Sequence, residues 1–215
     1  MTPVLCLITD RRRFGAAWER PLIERVRAAA RAGVHLIQVR ERDLEGGPLA
    51  VLTGRCVDAV RGTPARVVVN DRLDVALAVG ADGVHLRADS MDAARVRRIV
   101  PPGFLIGRSV HTVEEAVAAS GGGALDYLIF GTVFETVSKP GREAAGLDRL
   151  ARVSAATTIP VLAVGGISPS RTAGVARAGA AGVAAIGVFA DCAVEEVDGI
   201  RGQISAAFDT PERVP

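Results

Sequence analysis

Short runs rich in Val, Ile and Leu alternate with amphipathic segments rich in Ala, Arg and Glu along the whole chain. The runs are V-L-C-L-I-T-D (4–10), L-I-Q-V-R (36–40), R-V-V-V-N (66–70), G-V-H-L (83–86), F-L-I-G-R-S (104–109), D-Y-L-I-F-G (126–131), I-P-V-L-A-V-G-G (159–166) and G-V-A-A-I-G (182–187). Continuously apolar strands separated by helices imply a parallel sheet covered on both faces. P-L-I-E-R-V-R-A-A-A-R-A-G reads as one such helix, stopped by Gly33. A faint repeat supports this: A-R-A-G-V-H-L-I-Q-V, A-V-G-A-D-G-V-H-L and A-R-A-G-A-A-G-V-A-A-I share a helix end, a glycine and a buried strand. Eight units in 215 residues leave about 27 each, near the lower end for a (β/α)8 barrel. Even spacing and the lack of an early G-x-G-x-x-G weigh against a doubly wound sheet. With no linker visible, the expectation is an α/β chain forming a single (β/α)8 TIM barrel over residues 1–215.

Composition narrows the class. Apolar residues are 49% of the chain and charged residues 23%, as in globular proteins. A formal net charge of +2 gives no case for a nucleic-acid or membrane partner. Arg11–Arg13 read as a solvated loop, with a grip on a substrate phosphate as the alternative. Cys6, Cys56 and Cys192 have no metal-ligand spacing and read as buried thiols in a reducing compartment. The opening M-T-P-V-L-C-L-I-T-D lacks a basic stretch and is too short for a membrane span. A cytoplasmic location is expected, with the oligomeric state, a homo-oligomer included, left open.

Active sites of such barrels lie at the C-terminal ends of the strands. There the chain places polar residues or glycine almost throughout. Strand two finishes Q-V-R-E-R-D: in extended chain Gln38, Arg40 and Arg42 share one face, with Glu41 and Asp43 placed to tether the arginines. Glycine turns at Gly165-Gly166 and Gly187 end strands seven and eight, where this fold commonly holds a phosphate; tight turns alone are the alternative. In T-V-S-K-P-G, Thr136, Ser138 and Lys139 offer two hydroxyls and an ammonium to a phosphate or diphosphate. Asn70-Asp71 suit Mg²⁺ shared with a ligand's phosphate oxygens, and equally suit a helix cap.

The histidines contribute less. His35 reads as structural, His85 as a satisfied core residue, and His111 as a candidate for the site rim. No nucleophile–His–acid triad and no paired metal ligands are visible. Cations and phosphate cradles without an evident base favour leaving-group ionisation over proton abstraction.

Taken together, Q-V-R-E-R-D, N-D-R-L-D-V-A-L-A-V-G-A-D-G-V-H-L, I-G-R-S-V-H-T, D-Y-L-I-F-G-T-V-F-E-T-V-S-K-P-G and V-L-A-V-G-G-I resemble the thiamin phosphate synthase family and its sister group, the thiazole tautomerases. The resemblance implies two small-molecule substrates, a hydroxymethylpyrimidine diphosphate and a thiazole phosphate, joined with loss of pyrophosphate and help from Mg²⁺. Carried over by position, Gln38 and Asn70 would contact the pyrimidine diphosphate, Arg40 and Lys139 its pyrophosphate, and Asp71 the Mg²⁺. Ser109 would contact the pyrimidine, Thr136 and Ser138 the thiazole, and Gly166, Ile186 and Gly187 the thiazole phosphate.

Four positions depart from the family pattern. Arg42 replaces a lysine, Ser138 a threonine and Gly187 a serine. In H-L-R-A-D-S, Ser90 stands where the family has a second metal-binding aspartate, which leaves Asp89 to substitute or Arg87 to bind pyrophosphate directly. Loss of that aspartate also fits a tautomerase, but Thr132 occupies the place of the tautomerase histidine and cannot shuttle a proton near neutral pH. A non-catalytic phosphate-ligand binder is the alternative from another class.

Overall fold

The computed structural model describes residues 2–136 and 143–209. Eight strands close into a barrel in sequence order: β1 (Val4–Ile8), β2 (Leu36–Val39), β3 (Arg66–Asn70), β4 (Gly83–Leu86), β5 (Leu105–Val110), β6 (Tyr127–Gly131), β7 (Val161–Val164) and β8 (Gly182–Ala185). Every neighbouring pair is parallel, and β1 closes the ring against β8. This is the expected (β/α)8 barrel.

Helices α1 (Glu19–Arg31), α2 (Gly46–Val60), α3 (Leu73–Ala78), α4 (Ala93–Arg97), α5 (Val113–Ser120), α6 (Gly146–Ala155) and α7 (Pro169–Arg177) follow the first seven strands. After β8 come a single turn, α8 (Gly187–Ala190), and then α9 (Val197–Asp209). Helix α1 buries Leu22, Val26, Ala29 and Ala30, the i, i+4, i+7, i+8 face that its sequence encodes. It ends at Arg31 with Ala32 as its cap, and Gly33 follows with φ +87°, a conformation that favours glycine. No helix among the described residues is long and apolar enough to cross a membrane.

Two apolar layers result. Outward strand residues such as Leu5, Ile37, Val67, Val69, Ile106 and Leu128 pack under the helices. Cys6, Ile8, Leu36, Tyr127, Ile129, Leu162 and Ala184 form a smaller cluster on the alternate strand positions, filling the barrel. Gly107 makes room for the largest of these: a Cβ there would lie 2.1 Å from the Tyr127 ring. Above this plug the barrel stays open, and the strand ends face a cavity. Burial pushes the Cys6 and Cys56 thiols up to about 12, so both stay protonated, as their reading as inert core residues requires.

Candidate active site

A cavity of about 720 Å³ opens at the C-terminal ends of the strands. On the arc of β2 to β4 its wall carries Gln38, Arg40, Arg42, Asn70 and Arg87. Ser109 and Thr136 continue it past β5 and β6, and Gly166, Ile186 and Gly187 line the arc of β7 and β8. Residues predicted from scattered motifs thus converge on one space. Ser138 and Lys139 lie outside the described residues.

The strand-two face behaves as its alternation demands. Gln38 is buried and donates from Nε2 to Asn70 Oδ1 at 3.1 Å, while its own Oε1 is buried without a partner among the described residues. An orphaned acceptor in a cavity wall is costly unless a ligand N–H completes it. Arg40 is held by its backbone, whose N–H donates to Thr9 Oγ1 at 2.9 Å. Its guanidinium makes no ion pair among the described residues. Burial first, then the neighbouring Arg42, pull its pKa down, so an anion bound between the two would relieve both effects.

Glu41 and Asp43 do not tether Arg40 and Arg42. They take Arg11 instead: Glu41 accepts from the Arg11 backbone N–H at 3.0 Å and from Nη1 at 3.3 Å, and Asp43 forms a bidentate pair with it at 2.6 and 2.9 Å. Glu41 is buried and odd-numbered, so strand alternation turns it away from the cavity, towards the β1–α1 connection. That connection is a 3-10 turn over Arg11–Phe14, not a freely solvated loop. Its third arginine, Arg13, lines the cavity beside Gly187 and pairs with Asp191. Sequence reasoning preferred a solvated loop to a phosphate grip for the whole charge run that contains Arg13, and it missed Asp191, which lies in no strand-end motif.

Asn70 and Asp71 are not helix caps. Helix α3 begins after Arg72 and takes no cap from either side chain. Asp71 has φ +58°, the single non-glycine residue with positive φ among those described, a conformation common at functional turns. Its carboxylate lies behind the cavity wall, facing Arg87: Arg87 N–H donates to Oδ1 at 3.4 Å, and Nη1 stands 3.6 Å from Oδ2. Arg87 also forms a bidentate pair with Asp89, at 2.9 and 2.7 Å, which holds the Asp89 carboxyl below its ordinary range. One guanidinium therefore bridges two carboxylates at the end of β3, and Ser90 adds no acid. Among the described residues no cluster of three His, Cys, Asp or Glu could hold a metal by itself.

His85 is the satisfied core residue that its sequence position implies, and it also floors the cavity. Nδ1 bonds Tyr127 Oη at 3.2 Å and Nε2 bonds Ser109 Oγ at 2.9 Å. Burial, with Arg40 and Arg108 nearby, drops its pKa to about 3, so a neutral ring positions Ser109. His35 accepts the Leu5 N–H at Nδ1, a structural role. His111 reaches the rim, but its Nδ1 is engaged with the Gly131 carbonyl at 2.7 Å. No carboxylate backs any cavity histidine among the described residues, so no general base is assembled.

Arg40 and Arg42, without a carboxylate partner among the described residues, stand on one arc of the strand ends and glycine turns on another, in a β/α barrel. Comparison with known proteins then places it. Residues 5–189 match the family described as Thiamine monophosphate synthase, and the chain belongs to that family. The thiamine-phosphate synthase of Roseiflexus sp. (strain RS-1) is 44% identical over 184 residues, 85% of this chain and 76% of the relative. That of Methanoculleus marisnigri is 45% identical over 164 residues, 74% and 76% of the two chains. The solved thiamine phosphate pyrophosphorylase from Pyrococcus furiosus superposes with a TM-score of 0.80 at 32% identity, covering 96% of this chain and 95% of that one.

Proposed function

We propose that the protein is the transferase that joins the two halves of thiamin phosphate. The observation that carries this reading is the pair of anion-binding arcs in one cavity, with Arg40 and Arg42 lacking any carboxylate partner among the described residues. A cavity of about 720 Å³ suits two small ligands side by side.

The reaction needs no base. The C–O bond of the hydroxymethylpyrimidine diphosphate breaks and its electron pair leaves with pyrophosphate. The ring nitrogen of the thiazole phosphate then donates its lone pair to the pyrimidine-stabilised cation, forming the C–N bond of thiamin phosphate. What the protein must supply is charge complementarity at the departing diphosphate and alignment of the two rings. Arg40 and Arg42 grip the diphosphate, joined by Lys139 from the β6–α6 connection. Gln38 Oε1 takes an N–H of the pyrimidine ligand, and Ser109, fixed by His85, contacts the same ring. Thr136 and Ser138 flank the thiazole, whose phosphate rests on the turns at Gly166, Ile186 and Gly187.

The donors at the end of β3 fit Mg²⁺. They are hard oxygens only, the Asp71 carboxylate and the Asn70 amide, with Asp89 close by, and a ligand diphosphate completes the shell. When bound, the ion neutralises charge building on the pyrophosphate. Arg87 is half-exposed and must turn from Asp71 towards the diphosphate, which an exposed ion pair permits at small cost.

The tautomerase reading lacks its proton carrier: Thr132 lines the cavity at that position and His111 is already engaged. Purified protein mixed with both substrates, with and without Mg²⁺, should release pyrophosphate and form thiamin phosphate. Folded protein that binds the thiazole phosphate yet forms no product would refute the synthase and leave a binder.

A further inference from the structure

We infer that Arg13, oriented by Asp191, grips the phosphate of the thiazole substrate in the space that Gly187 leaves open. This rests on the synthase reading above and adds a specificity-determining residue to it.

The three arginines of the β1–α1 turn have separate tasks. Arg11 is committed to Glu41 and Asp43 and stacks 5.6 Å from the Trp18 ring, and Arg12 donates to Asp10 at 2.8 Å. Only Arg13 turns into the cavity, on the β7–β8 side. Because β1 is hydrogen-bonded to β8, the turn after β1 lies directly beside Gly187. Arg13 is the one cationic side chain among the described residues lining that arc. Turns of backbone N–H groups place a phosphate but supply little charge, and α8 is a single turn of four residues with little dipole to offer. A phosphate carrying close to two negative charges calls for a guanidinium fork.

The geometry around Gly187 shows how the fork is held. Arg13 Nη1 lies 2.6 and 2.5 Å from the two Asp191 carboxylate oxygens. Nη2 has no partner among the described residues. A Cβ at position 187 would fall 2.8 Å from Asp191 Oδ2 and 3.6 Å from Arg13 Nη1. Gly187 does not have positive φ, so its backbone does not demand glycine. A side chain there would have to displace the Asp191 carboxylate from its pair with Arg13. The hydroxyl lost at position 187 is thus exchanged for a guanidinium brought from another strand.

Asp191 is itself fixed from below. Arg25 of α1 is only 6% exposed and pairs with no acid among the described residues. Its Nη1 donates to Cys192 Sγ at 2.9 Å and to the Ala193 carbonyl at 3.2 Å, and Nη2 donates to the Cys192 carbonyl at 2.5 Å. A buried arginine spent on three acceptors of one short loop rigidifies that loop. It locks the segment that carries Asp191 onto the helix that follows Arg13. Asp191 is therefore a positioning residue and Arg13 the binding residue.

Calorimetry with the thiazole phosphate and with the unphosphorylated thiazole alcohol, alongside steady-state kinetics, tests this in the full chain. Arg13→Ala should weaken the thiazole phosphate about 10-fold to 100-fold, the range for a hydrogen bond to a charged group. It should leave the alcohol's affinity and the KM for the pyrimidine diphosphate unchanged, a selectivity that general loosening of the fold would not produce. Arg13→Lys should recover part of the loss. Asp191→Asn, at an exposed side chain, should weaken the same ligand with the fold intact, and Gly187→Ser should do so by displacing Asp191. If folded Arg13→Ala binds the thiazole phosphate like the parent, or if Gly187→Ser binds it more tightly, the inference is overturned while the synthase stands. If the parent protein binds no thiazole phosphate, both fall.

Discussion

The Arg87 guanidinium stands 3.6 Å from the Asp71 carboxylate and is tied from the other side by Asp89 at 2.7 Å. If Asp71 holds Mg²⁺ as proposed, ion and arginine compete for its carboxylate. Replacing Arg87 with glycine should raise metal affinity a few-fold, read as Mn²⁺ binding to the protein by electron paramagnetic resonance in the presence of pyrophosphate. Turnover at saturating Mg²⁺ should nevertheless fall, because a phosphate-binding fork has been removed. Weaker metal binding in the variant would mean that Arg87 supports the ion instead of competing with it.

Arg40 presents the opposite balance of stability and function. Its charge is disfavoured by burial and by Arg42, so the empty site bears an electrostatic cost that the diphosphate removes. Arg40→Ala should lower kcat by about 100-fold to 1,000-fold, the scale for deleting one charge-stabilising donor. The midpoint of thermal unfolding should stay level or rise. Lys139→Ala should show the same split. Full turnover in either variant would remove these residues from the proposed site.

How far the sequence carried these conclusions depended on which interactions run along a strand and which run across the barrel. The eight apolar runs encode the barrel because a strand buried on both faces must be continuously apolar, and that is local information. Gln38, Arg40 and Arg42 were legible from alternation alone, as were the glycine turns after β7 and β8. The tethers were not. Glu41 looks like a partner for its neighbours in sequence, yet parity sends it to Arg11, 30 residues away. Asp191 and Arg13 are 178 residues apart and meet only because β1 closes on β8. The resemblance implies Mg²⁺ on Asp71, but the Arg87 side chain facing that carboxylate is a matter of side-chain reach that no motif states.

His85 predicts a pH dependence of stability. Its folded-state pKa is about 3, well below the ordinary 6.5, so as pH falls the unfolded chain takes up a proton first. The contribution is whole above about 6.5 and drains away towards about 3, at about 1.4 kcal/mol per pH unit within that window. Denaturant titrations from pH 7 to pH 4 should show a shallower loss of stability in His85→Gln than in the parent. Equal slopes would mean that the ring is protonated in the fold. Because the ring stays neutral, the activity profile should show no limb from His85 near pH 6.5.

Gly107 and Tyr127 set the floor on which the site rests. The Tyr127 ring crosses the barrel through the volume a side chain at 107 would fill, and its hydroxyl meets His85, which in turn holds Ser109. Gly107→Ala therefore brings a Cβ to 2.1 Å from a ring that is only 5% exposed, far inside van der Waals contact. Overpacking of this kind should cost about 3 kcal/mol in denaturant unfolding. It should also tilt His85 and raise the KM for the pyrimidine diphosphate. Tyr127→Leu in the Gly107→Ala background frees the space and should return part of the stability, a coupling that a double-mutant cycle measures directly. KM should stay high in the double variant, because the hydroxyl that orients His85 is gone. Recovery of both together would separate Ser109 from the Tyr127–His85 relay, and additive losses would show that the two residues do not share the space.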